Sequence, residues 1–221
     1  MPKAIVLLSG GLDSAVTLAL SVSHGNETVA LSFRYGQRHA RELDSAKDIA
    51  KHYDTEHFIV DIDLSAFRSS LIGNTGKVEK DRENIGGDIP PTYVPARNII
   101  MMSIAAGLCE SEGADRIYIG ANSVDYSGYP DCREEFFMSF GEMLRKGTKA
   151  GAEGHPIRIE TPILNMSKSE IIGLGKRMNV PMHLTWSCYS GGKKACGRCD
   201  SCILRLKGFR DAGYRDEAEY E

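Results

Sequence analysis

Short apolar runs alternate along the chain with segments whose apolar residues recur at helical spacing. Lys3–Leu8, Glu27–Phe33, Glu56–Ile62 and Arg116–Gly120 read as strands. Between them, Ser14–His24, Ala40–Tyr53 and Ala96–Glu112 carry helical patterns. In the second of these, Leu43, Ala46, Ile49 and Ala50 fall on one face. A fifth strand is expected just before Thr161. Strand and helix in alternation predict an α/β fold, an open parallel sheet with helices on both faces. Ligands of such sheets sit outside the carboxyl ends of the strands, so the loops that follow strands should carry the chemistry. Ser167-Lys168-Ser169-Glu170 fits a capping box and opens a helix running to about Met178, and Ser201–Asp211 is the last helix. Residues 68 to 92 break the rhythm. They are polar, glycine-rich and end near Pro90-Pro91, too hydrophilic to bury a strand. They read as a long loop, either a disordered insertion or a lid. No internal repeat or low-complexity tract is present.

Composition narrows the class. The 221 residues suit one large domain, residues 1–180, with a small C-terminal segment, residues 181–221. A net charge of −3 argues against gripping nucleic acid by overall charge. No run of 18 apolar residues predicts a membrane span, and no charged leader precedes a signal-type core, so the expected location is cytoplasmic. Of six cysteines, four lie within residues 188 to 202. Clustering of that kind suggests metal before disulfides.

The first strand breaks into Ser9-Gly10-Gly11-Leu12-Asp13-Ser14 and then a helix. Two glycines let the backbone approach an anion, amide groups at the helix start point at it, and two serines add hydroxyls. The lysine-bearing pattern of the common phosphate loop is absent. Asp13 is the odd member: beside a phosphate it either caps the helix or shares a magnesium ion. A plain turn with a capping aspartate would look the same locally.

Other post-strand loops add to this. Tyr35-Gly36-Gln37-Arg38-His39 crowds aromatic, amide and basic groups after the second strand. Arg97 stands where Pro95 opens a helix and could bind phosphate or merely begin the helix. Gly120 to Arg133 is dense in hydrogen-bonding and aromatic side chains, including Asp125, Tyr129, Asp131 and Cys132. A flat heterocycle would suit it, with a carboxylate of Asp125 or Asp131 accepting ring N–H groups. Lys168 at a helix start opposes the helix dipole, which a bound anion would explain. Cys109 reads as core, and Cys132 either as packing or as a covalent nucleophile with no adjacent base.

The string Ser-Gly-Gly-Leu-Asp-Ser resembles the PP-loop ATP pyrophosphatases, which cleave ATP between the α- and β-phosphates. LSGGLDS, YGQRH, VPARN, VDYSGYPDCR, TPILNMSKSEI and the cysteine tail together resemble the 7-cyano-7-deazaguanine synthases over residues 4 to about 208. The resemblance implies an ATP-dependent ligase. It takes 7-carboxy-7-deazaguanine and ammonia, activates the carboxylate and then the amide, and releases a nitrile for deazaguanine modification of tRNA. It implies ATP and magnesium, a structural zinc, a homodimer, and no direct contact with nucleic acid or membrane. ATP-binding residues would be Leu8, Ser9, Gly10, Gly11, Leu12, Asp13, Ser14, Ala15, Val16, Thr17 and Leu18. Asp13, Arg97, Lys168 and Arg133 would serve catalysis, and Tyr35, Gln37, Arg38, Asp125, Tyr129 and Asp131 the substrate. A tRNA-thiolating enzyme, a nucleotide-binding protein without turnover and an amidotransferase halting at the amide remain alternatives.

Cys188, Cys196, Cys199 and Cys202 are separated by seven, two and two intervening residues. Such a set holds structural zinc, with an iron–sulfur cluster as the alternative. Zinc is also what the resemblance implies.

Overall fold

A computed structural model describes residues 1–37, 41–72, 78–82, 89, 92–124 and 129–221. Five parallel strands form one sheet in the order β3-β2-β1-β4-β5: β1 Lys3–Leu7, β2 Glu27–Arg34, β3 Glu56–Asp61, β4 Arg116–Ile119 and β5 Arg158–Glu160. The helices between them are α1 Leu12–Ser23, α2 Arg41–His52 and α3 Arg97–Glu112. Then come α4 Glu134–Gly147, α5 Lys149–Ala152, α6 Lys168–Arg177 and α7 Asp200–Asp211. Every expected strand is present to within a residue or two, and the sheet is the expected parallel one. The pattern of Phe137, Phe140 and Leu144, all buried, marks α4, a helix not anticipated from the sequence.

The sheet separates two cores. Ala4, Val6 and Ala30 face one side with α1, α2, α6 and α7, while Ile5, Val29, Leu31 and Phe33 face the other with α3 and α4. This is the two-residue alternation of a strand covered on both faces. The chain winds from β1 outward to β3, then returns to place β4 on the other side of β1. The loops after β1 and β4 therefore diverge from adjacent strands and leave a crevice between them.

Ser167 caps α6, accepting from the Glu170 amide at 3.3 Å, while the Glu170 carboxylate accepts from the Ser167 amide at 2.7 Å. The expected capping box is thus formed. Helix α6 packs tightly on α7. A Cβ added at Gly208 would sit 2.3 Å from Lys168 Cγ and 2.9 Å from Ile172 Cδ1.

That contact yields a paired test. Gly107, inside α3, has no atom within 4 Å of an added Cβ, so Gly107→Ala should gain about 0.5–1 kcal/mol from helix propensity. Gly208→Ala should instead lose about 1–3 kcal/mol to overpacking. Urea unfolding of both variants decides it; equal shifts of the same sign would rule out the close α6–α7 approach.

Candidate active site

A cavity of about 270 Å³ opens at the carboxyl ends of β1, β2 and β4. Ser9, Gly11, Leu12, Asp13 and Ser14 line it from the glycine loop, Arg97 and Asn98 from α3, and Gly120 to Asn122 from the loop after β4. Tyr35, Gln37, Tyr129 and Lys168 also reach it, as does the C-terminal segment through Trp186, Ser187, Tyr189, Ser201 and Arg205.

The glycine loop is held by its own serines. Ser14 Oγ donates to the Gly11 carbonyl at 2.9 Å and lies 3.0 Å from Ser9 Oγ. The Ser9 amide donates to Ser14 Oγ at 3.2 Å, and the Gly11 amide to Ser9 Oγ at 3.3 Å. Gly10 has φ +88°, and a Cβ there would lie 2.0 Å from the Glu42 carbonyl oxygen. Only glycine fits. Gly11 is the N-cap of α1, with no side-chain cap, so Asp13 does not serve that role. Both Asp13 oxygens instead accept from Lys168 Nζ at 2.7 Å. The anion that answers Lys168 is this carboxylate, 155 positions away. Among the ATP-binding expectations, Ala15, Val16 and Leu18 are fully buried in the core under the loop, and Leu8 is 1% exposed. Thr17, also buried, donates to the Asp13 carbonyl at 2.9 Å.

Arg97 begins α3 directly after Ala96, whose φ of +55° is a left-handed, strained setting for a residue with a Cβ. The Ala96 amide donates to Tyr93 Oη at 3.1 Å, which fixes the turn that aims Arg97. Burial would lower the Arg97 pKa, but surrounding Tyr35, Tyr129, Tyr189 and Cys132 offset it, and the guanidinium stays charged. Burial likewise raises Tyr35 and Tyr129, keeping both phenols neutral. Gln37 spends its amide on its own turn, accepting from the Tyr35 amide at 2.7 Å and donating to the Phe33 carbonyl at 3.1 Å.

The structure does not bring every expected residue to the cavity. Asp131 is 5% exposed, and its Oδ2 accepts from the Asn98 amide at the start of α3. It anchors a helix rather than lining the cavity. Arg133 is exposed and is the N-cap of α4. Arg38 and Asp125 lie outside the described residues, as does most of the stretch read as a lid. Cys132 lines the cavity, but burial pushes its thiol up to about 11, so it is protonated at neutral pH. Cys109 is core, as expected.

Sequence reading missed Glu42, Trp186 and Arg205. Glu42 sits in the first turn of α2 and resembles any solvated helix glutamate. Burial raises its carboxyl to about 7, with Arg97 pulling it down and Cys188 pushing it up. The Trp186 amide donates to the Gly10 carbonyl at 2.9 Å, stitching the C-terminal segment to the glycine loop. Arg205 supports that segment, donating to Thr185 Oγ1 at 2.8 Å and to the Met182 carbonyl at 3.3 Å. Its charge is matched by Asp216, at 2.7 and 2.9 Å, with side chains 4% and 3% exposed.

The Cys188, Cys196, Cys199 and Cys202 sulfurs lie within 4.8 Å of one another, all buried. Backbone amides of Ser190 and Cys196 donate to Cys188 Sγ, and that of Cys199 to Cys196 Sγ, each at 3.3 Å. Amide donors favour thiolates, and buried thiolates need a cation, so the set fits a closed four-sulfur metal site. Asp81 and Arg198 form an ion pair beside it, and Arg82 bonds Asp200 at 2.9 Å.

A family model described as "Queuosine biosynthesis protein QueC" matches residues 3–213. A protein of Picrophilus torridus named 7-cyano-7-deazaguanine synthase is 53% identical, covering all of this chain and 92% of its own. Proteins of the same name from Thermoplasma acidophilum and Acetivibrio thermocellus are each 50% identical. They cover 99% and 100% of this chain, and 92% and 98% of their own.

Two outcomes follow from these ion pairs. Lys168→Met leaves the Asp13 charge without its partner and should cost about 2–3 kcal/mol in urea unfolding, below the loss for a fully buried pair because the cavity admits water; a loss under 0.5 kcal/mol would remove the pair from the loop's support. Burial opposes ionisation of Asp216, yet its bonds to Arg205 and Tyr220 hold the carboxyl below its ordinary 3.8. The stabilisation from a lowered acid is present above the unfolded value and vanishes as pH falls through the folded one. The stability gap between the wild type and Asp216→Asn should be flat from about pH 7 to 5 and close below about pH 4. A gap that widens on acidification contradicts the pairing.

Proposed function

The chain belongs to the queuosine biosynthesis protein QueC family, and on that premise we propose that it is a 7-cyano-7-deazaguanine synthase. It is an ATP-dependent ligase that joins ammonia to 7-carboxy-7-deazaguanine and carries the amide on to the nitrile. The match over residues 3–213 carries this reading.

The site suits activation of a carboxylate. A carboxylate acylates nothing until it bears a good leaving group, and transfer of AMP supplies one. ATP lies with its departing pyrophosphate over Ser9–Ser14, where the N-terminus of α1 favours an anion. No lysine of the common phosphate-loop kind is needed, since the bond broken lies nearer the base. The Asp13–Lys168 pair presents Nζ at the loop while cancelling the aspartate charge that would repel phosphate. Arg97, charged inside its ring of phenols, faces the carboxylate and the α-phosphate and stabilises charge as it builds on their oxygens. Tyr35, Tyr129 and Trp186 offer flat faces to the fused ring. Magnesium accompanies ATP. Cys132 stays a neutral thiol, and ammonia, not a side chain, is the nucleophile.

Zinc in the four-cysteine set is structural, because four sulfurs leave no position for water. The protein acts on the free base rather than on tRNA, in keeping with its net charge of −3. We further propose that it works as a cytoplasmic homodimer. No helix among the described residues is long and apolar enough to cross a membrane.

Mass spectrometry of a reaction holding 7-carboxy-7-deazaguanine, ammonium, ATP and magnesium should show the nitrile with AMP and pyrophosphate. Amide alone would confine the protein to the first activation, and intact ATP would exclude the ligase. Removing zinc with a chelator should raise amide exchange across residues 187–203 before the sheet loosens; unchanged exchange there would mean the metal supports no fold.

A further inference from the structure

Ammonia at neutral pH is almost all ammonium, which has no lone pair to attack with. A group in the cavity that takes a proton from bound ammonium would supply ammonia at the place where it attacks. The lining side chains leave few choices. Asp13 is held by Lys168 through both oxygens. Burial raises the pKa values of Cys132 and of the Tyr35 and Tyr129 phenols, so each keeps its own proton at neutral pH and cannot accept another. Among the described residues no histidine lines the cavity. Glu42 does line it, and its carboxylate has no hydrogen-bond or ion-pair partner among them.

Glu42 is also in the right place. Its backbone packs against Gly10, the centre of the glycine loop. Arg97 from α3 and Tyr35 from the turn after β2 line the same cavity. We propose that Glu42 binds the entering ammonium ion and accepts its proton, releasing ammonia beside the activated carboxylate. This rests on the ligase reading above. In the step, an N–H bond of ammonium breaks and its proton passes to a Glu42 carboxylate oxygen. The freed pair forms the C–N bond. The C–O bond to the phosphate breaks with its electrons leaving on AMP, and the amide nitrogen sheds one further proton to the departing phosphate. A carboxylate on the cavity wall with no fixed partner among the described residues is well matched to a small cation and then to its proton.

The test compares two nucleophiles. Hydroxylamine is already neutral at neutral pH and needs no proton removed before it attacks. Wild type and Glu42→Gln are given 7-carboxy-7-deazaguanine, ATP and magnesium with either ammonium or hydroxylamine, and amide, hydroxamate and pyrophosphate are measured. In the variant, kcat/KM for ammonium should fall about a hundredfold or more, while hydroxamate forms at the wild-type rate. The hydroxamate reaction also reports that the variant is folded. Equal losses with both nucleophiles would overturn the proposal and make Glu42 a substrate or structural residue. No loss with either would overturn it as well. A wild type that yields neither pyrophosphate nor hydroxamate would bring down the ligase reading itself.

Discussion

Three distant parts of the chain meet at a residue with no side chain. Gly10 turns back with positive φ, its α-carbon pressed against the Glu42 carbonyl and its own carbonyl receiving the Trp186 amide. Loop, second helix and C-terminal segment are thereby fixed to one another across a point where a methyl group would not fit. The cavity exists because these three walls are set at that spacing. Only the return of the chain from β3 to β4, which opens the crevice, is of equal weight.

The charges follow from the same geometry. Asp13 and Lys168 meet because α6 starts beside the loop and Gly208 lets α7 approach Lys168 closely. Arg97 follows a strained turn and stands among phenols, which surround a cation without neutralising it. One carboxylate is thus paired and another left without a fixed partner among the described residues, and the two proposed roles, phosphate binding and proton transfer, divide along that asymmetry.

Local signals were legible and distant ones were not. Strands, the glycine loop, the capping box of α6 and the cysteine set each lie within a short window, where spacing alone has meaning. The Asp13–Lys168 pair joins positions 155 apart, so the sequence could show each charge as odd without showing that one answers the other. Glu42 follows the ordinary rule of acid in a first helical turn and gives no sign of lining a cavity. Asp131 stood in a loop rich in polar groups and was read as facing a ligand; its carboxylate was already claimed by the start of α3. Trp186 acts through its backbone amide, and Arg205 through partners 11 to 23 positions away, so neither stands out in a short window.

The Arg205 guanidinium that braces residues 182–187 takes its counter-charge from Asp216, eleven residues further on. Beyond it, Glu219 and Glu221 exchange backbone hydrogen bonds with Ala195. During synthesis, therefore, the sheet can assemble while this wall is still unfinished, because a cation cannot be buried there until its partner has left the ribosome. Translation thus finishes the sheet before this wall, and the cavity closes on that side only once the chain has emerged as far as Asp216.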